Sequence, residues 1–141
     1  MKKLLVLLLA IFLSAGSLSA QSVEIRKLLQ QAKQGDAKAQ FTLGLRYDDG
    51  LGVPQDDAQA VKWYRLAADQ GYAQAQYNLG VMYANGIGVP QDYVQAHMWL
   101  NLAAAQGDAN GTKNRDTIAK LMTPQQIAQA QELARNWKPK K

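Results

Sequence analysis

The chain has no cysteine, a single histidine and, beyond residue 20, a single serine. Each shortage removes a class of chemistry. Without cysteine there is no disulfide and no lipid-bearing N-terminal thioether, so stability outside the cytoplasm must come from packing alone. With Ser22 the lone serine past the leader and no Ser-x-x-Lys pair, the nucleophiles of acyl transfer are missing. No His/Cys/Asp/Glu spacing suits zinc. Asp48-Asp49 and Asp56-Asp57 lack the alternating oxygen donors of a calcium loop and read instead as helix-end and loop residues. No acidic residue sits in the apolar surroundings that would tune a hydrolytic carboxylate pair. The expectation is a protein that is not an enzyme, with no cofactor and no metal.

Long apolar runs are equally scarce. The one present, Leu4 to Leu13, follows Met1-Lys2-Lys3 and precedes the small, flexible stretch Ser14-Ala15-Gly16-Ser17-Leu18-Ser19-Ala20. At about half the roughly 20 residues a membrane-spanning helix needs, it reads as the core of a signal peptide over residues 1–20. Ala20 is the preferred last residue of that leader, with cleavage after Ser17 or Ser19 open because Leu18 is bulky for the position it would hold. Such a leader implies a periplasmic or secreted protein without stable membrane insertion. Of the 16 basic residues two lie in the leader, leaving 14 against 11 acidic ones. This small surplus gathers in Lys138-Pro139-Lys140-Lys141, and no basic stripe with interleaved stacking aromatics exists, so nucleic acid is not expected as a partner.

What is present in strength is self-similarity. Residues 36 positions apart repeat: Ala37/Ala73, Gln40/Gln76, Leu43/Leu79, Gly44/Gly80, Tyr47/Tyr83, then Gly52/Gly88, Val53/Val89, Pro54/Pro90, Asp56/Asp92, Ala60/Ala96, Trp63/Trp99 and Ala67/Ala103. Chance does not produce such a series, and a period of this length marks stacked helix pairs. Within each copy the small residues, the leucine and the tyrosine recur at the three- and four-residue spacing of one helix face. A glycine- and proline-bearing loop then breaks the helix, and a second helix opens at Asp56 or Asp92, with Gln59 or Gln95 three positions on as in a capping box. Gly44 and Gly80, in helix interiors where glycine costs about 1 kcal/mol against alanine, predict helix crossings too close for a β-carbon. His97 stands where the first copy has Val61, which favours a partly buried structural histidine over a ligand or base.

These features predict an all-α fold, an α-solenoid of tandem helix-turn-helix repeats in a superhelix of about seven helices. Its parts would be a capping helix over 21–34, repeats over 35–70 and 71–106, a degenerate closing repeat over 107–137, and a frayed basic tail over 138–141. The third copy begins well at Asp108 but has Lys113, Arg115 and Asp116 where the aromatic, leucine and glycine would fall. Its last helix opens at Thr123-Pro124-Gln125-Gln126 and should turn Ile127, Ala130, Leu133, Ala134 and Trp137 inward.

The string Ala-x-Ala-Gln-x-x-Leu-Gly-x-x-Tyr-x-x-Gly-x-Gly-Val-Pro-x-Asp, followed by Ala-x-x-Trp and Ala-Ala-x-x-Gly, resembles the Sel-one-like repeat, a relative of the tetratricopeptide repeat. The likeness is close from Asp36 to Asp108. It implies a scaffold for a protein or peptide partner, and the lack of cysteine sets this chain apart from the cysteine-rich secreted members. In tetratricopeptide-like stacks the first helices line the concave side. By that resemblance Lys38, Phe41, Leu45, Asp48 and Asp49, in register with Gln74, Tyr77, Val81 and Asn85, would form a shallow groove for a partner segment. Phe41 and Tyr77 either anchor a ligand there or pack against a neighbouring helix. The alternative ligand is cell-wall material, a peptidoglycan fragment held in the same groove.

Overall fold

The computed structural model describes residues 19–141; the leader expected over 1–20 lies, but for its last two positions, outside the described residues. Among the described residues there are seven helices and no strand. A helix over residues 19–33 (α1) is followed by α2 (Ala37–Asp49), α3 (Asp57–Asp69), α4 (Ala73–Asn85), α5 (Tyr93–Ala105), α6 (Ala109–Ala119) and α7 (Pro124–Asn136). Successive helices pair, α2 with α3 and α4 with α5, and the pairs stack as α3 on α4 and α5 on both α6 and α7. This is an all-α solenoid of repeats.

Aspartates start the helices. Asp36, Asp56, Asp92 and Asp108 each accept a hydrogen bond from the backbone N–H three residues on, at 2.8 to 3.0 Å. At α3 and α5 the glutamine side chains expected to return the bond do not. The full reciprocal box forms at α7, where Gln126 N–H donates to Thr123 Oγ1 and Thr123 N–H to Gln126 Oε1.

The glycines in the helix interiors are there for close approach. A β-carbon on Gly44 would stand 2.5 Å from Cδ1 of the buried Tyr64 ring, and one on Gly80 would stand 2.7 Å from Leu100 Cγ and 3.2 Å from the Ala96 carbonyl. First and second helices of each repeat therefore touch backbone to side chain, and both feed the core, the first with Leu43, Leu79 and Met82. Ala60, Tyr64, Ala67 and Ala68 of α3 and Ala96, Trp99, Leu100 and Ala103 of α5 are all buried.

Consecutive repeats are also tied by a relay of glutamines. Gln40 Nε2 donates to the Ala32 carbonyl at 3.1 Å, and its Oε1 accepts from Gln70 Nε2 at 2.8 Å. One repeat on, Gln76 Nε2 donates to the Ala68 carbonyl at 3.3 Å while Oε1 accepts from Gln106 Nε2 at 2.8 Å. Gln76 has no exposed surface at all, so replacing it with leucine removes two hydrogen bonds from inside the stack, one to the Ala68 carbonyl and one from Gln106. The Gln76→Leu variant is expected to lose about 1–3 kcal/mol in urea denaturation, with the helical signal of the folded state unchanged.

At the closing end two expectations are corrected. Leu133 is 37% exposed, and the inward face of α7 is Ala130 with Ile127, Ala134 and Trp137 around it. Residues 138–141 are not helical and are exposed, yet they turn back against the array. The Lys140 backbone N–H donates to the Asp69 carbonyl at 2.7 Å, and its Nζ reaches Asp69 Oδ2 at 2.8 Å. The solvated tail thus returns across the array, because Trp137 packs edge-on to Trp99 with ring centres 6.4 Å apart and sets the direction in which the chain leaves α7.

Candidate functional site: a groove along the first helices

Helices α2, α4 and α6 are the first members of three successive pairs, and two adjoining depressions run across them. One, of about 170 Å³, is lined by Asp48, Tyr77, Asn78, Val81, Met82 and Ile87. The other, of about 200 Å³, is lined by Val81, Ala84, Asn85, Leu100, Asn114, Thr117 and Ile118. Val81 belongs to both, so the two form one shallow, mostly apolar channel with a polar rim.

Four residues expected from sequence meet there: Asp48, Tyr77, Val81 and Asn85. Lys38, Asp49 and Gln74 are exposed and line neither depression. Leu45 is half-buried against the core. Phe41 is also half-buried, with its ring 5.8 Å from Tyr64 and 5.1 Å from Tyr72, so its work is to join the first repeat to the second. Tyr77, at the same repeat position, instead accepts a hydrogen bond from Asn114 Nδ2 at 3.1 Å and stands in the groove wall.

Sequence reasoning missed Asn78 and Asn114. They lie 36 residues apart, so the period could have found them, but the mismatches around Asn114 in the third copy hid the correspondence. Asn78 shares its partner with Asp48. Tyr64 Oη donates to Asp48 Oδ2 at 3.0 Å and is also hydrogen-bonded to the Asn78 side chain. Burial first, and then the Asp48 charge, hold the Tyr64 phenol well above the usual tyrosine range. The phenol therefore stays a donor that fixes the Asp48 carboxylate at the groove rim. One repeat on, Ala84 and Leu100 replace Asp48 and Tyr64. The channel thus has an acidic end and an apolar end.

His97 lies on α5 and is 4% exposed, as the Val61 correspondence predicts. Burial, and after it the Arg115 charge, lower its proton affinity below the ordinary 6.5, with Asp116 acting in the opposite sense. The folded state prefers the neutral ring while the unfolded chain takes up a proton near 6.5, so stability is full above that pH and falls as acid is added below it. Thermal unfolding between pH 7.5 and 5 should show this slope in the wild type and a flatter one in His97→Val. Among the described residues no cluster of three or more His, Asp or Glu is placed to hold a metal, and no helix is long and apolar enough to cross a membrane.

Comparison with known proteins identifies the repeat. The model of the Sel1 repeat matches residues 37–72 and 73–108. The secretory immunoglobulin A-binding protein EsiB of Escherichia coli O6:H1 is 44% identical over 69 residues, 48% of this chain and 14% of that protein. The crystal structure of c5321, a protective antigen of uropathogenic Escherichia coli with an SLR fold, superposes with a TM-score of 0.80 at 37% identity, over 91% of this chain and 28% of that one. A Sel1 repeat protein from Oxalobacter formigenes gives 0.67 at 38% identity, over 69% and 40%. The chain spans less than half the length of each.

Proposed function

Because the chain belongs to the Sel1 repeat family, whose members are typically non-enzymatic scaffolds for protein–protein contacts, we propose that it is an exported scaffold of the cell envelope that holds a partner segment in the α2–α4–α6 groove. The observation that carries this reading is the continuity of the channel through Val81 across three successive first helices. An apolar floor with a few fixed polar groups at its rim suits an extended or helical peptide. The groove supplies apolar contact at Val81 and Tyr77 and orientation at Asp48, Asn78 and Asn114. A surface this small yields modest affinity. The residues outside the two depressions, Lys38, Asp49 and Gln74, would at most flank the ligand. The name of the curated relative, an immunoglobulin-binding protein, supports a protein partner over cell-wall material.

The test compares wild type with Val81→Arg, which fills the shared wall with a charge, and with Lys62→Glu on the second helix. Envelope proteins retained on the immobilised chain should drop at least ten-fold for Val81→Arg and be unchanged for Lys62→Glu, with equal melting temperatures. Equal retention by all three would refute the groove. Sedimentation of the chain with purified sacculi, abolished by Val81→Arg, would move the ligand to cell-wall material.

A further inference from the structure

The solenoid carries a second periodic surface, on the edge where the second helices end. One cleft there is lined by Gly35, Leu66 and Gln70, and another by Gly71, Leu102 and Gln106, the same three positions 36 residues on. Each holds open volume, about 390 Å³ in the first and about 300 Å³ in the second. The chain's own residues 137–141 cross both. Trp137 and Pro139 lie over Gly71, 3.5 and 4.0 Å from where a β-carbon would stand, and Lys140 and Lys141 wall the first cleft.

Asp69 is the feature the fold does not need. It is the last residue of α3, where the negative end of the helix dipole disfavours an acid. The second repeat has Ala105 at that place. Its side chain is only 19% exposed, and among the described residues its ion-pair partner is Lys140, itself 74% exposed. The Lys140 amide also donates to the Asp69 carbonyl, so the same residue reads both the backbone and the charge of the segment. Backbone recognition plus one charged pocket and one flat apolar contact is how a protein binds an extended peptide.

We propose that this edge is a peptide-binding track distinct from the groove along the first helices, that residues 138–141 are its resident intramolecular ligand, and that it accepts from a partner an extended segment with a proline followed by lysine. Trp137 stays packed on Trp99 as the end of α7, but beyond it the resident segment leaves both clefts partly open and is held by one backbone hydrogen bond and one ion pair whose lysine is exposed, bonds that a competing segment can replace.

The probe is a synthetic peptide of the resident sequence, Lys-Pro-Lys-Lys, titrated into ¹⁵N-labelled full chain while the Gly35, Leu66 and Gly71 amides are followed. A tethered ligand acts at millimolar effective concentration, so the wild type resists the peptide. The double variant Pro139→Gly/Lys140→Ala frees the track and is expected to bind at least ten-fold more tightly. Adding Asp69→Ala should cancel that gain, and a peptide with glutamate in place of its last two lysines should not bind. Circular dichroism checks the fold of each variant, and Lys140→Arg, which keeps the charge, should behave as wild type. Equal binding by wild type and double variant, no shift at these amides, or a gain that survives Asp69→Ala would overturn the proposal.

Discussion

Trp99→Ala is expected to cost about 3–5 kcal/mol, the loss typical of truncating a buried tryptophan. Trp99 is 4% exposed and touches both the core of the second repeat and Trp137 of the closing end. Its removal empties the seat of the closing helix as well as the centre of α5. In a fold of this length about 3 kcal/mol corresponds to a melting temperature lower by roughly 10 °C. The Lys140 amide, whose path depends on Trp137, should lose its protection from hydrogen exchange in the same variant. Trp99→Phe is expected to be much milder, because the indole Nε1 has no hydrogen-bond partner among the described residues. A cost below about 1 kcal/mol for the alanine variant would contradict the packing described.

Gly88→Ala should be nearly as severe, at about 3 kcal/mol or more. Gly88 has φ +65, and an added β-carbon would run into the Asp57 carbonyl and stand 3.0 Å from Ala58 N at the start of α3. The left-handed backbone alone costs a side chain about 1–2 kcal/mol, and overpacking against fixed backbone about 1–3 more. Gly52, its counterpart one repeat earlier with φ +77, offers an internal control. There the new carbon would meet the ends of Gln21 and Ile25 side chains, both at 3.1 Å, which can move. Gly52→Ala should therefore cost only the backbone part. Urea denaturation of the two variants measures the difference, and equal costs would mean the loop of the second repeat does not rest on α3.

Much of this fold could be read from the residues because the repeat states each rule twice. Asp56 and Asp92 cap helices as their position implies, and Gly44 and Gly80 sit where a β-carbon has no room. The groove was legible only in part. An aromatic residue on the flank of a first helix satisfies both a packing and a binding role, and neighbours decide between them: Tyr64 and Tyr72 enclose Phe41, while Asn114 meets Tyr77 at the groove. The far wall comes from Asn114, Thr117 and Ile118, in the copy whose divergence hid its correspondence. The return of Lys140 to Asp69 joins residues 71 apart, a contact set by the seating of Trp137 on Trp99 and by no signal in the tail itself.

Placement of the partner on the first helices is tested most directly by site-specific photo-cross-linking in the full chain. A benzophenone amino acid replaces Val81 in the groove in one protein and the exposed Ala58 on α3 in another. In envelope extract the groove position should give discrete adducts that unlabelled wild type competes away and unlabelled Val81→Arg does not, while position 58 gives none. Competable adducts from position 58 with none from position 81 would put recognition on the second helices and contradict the account.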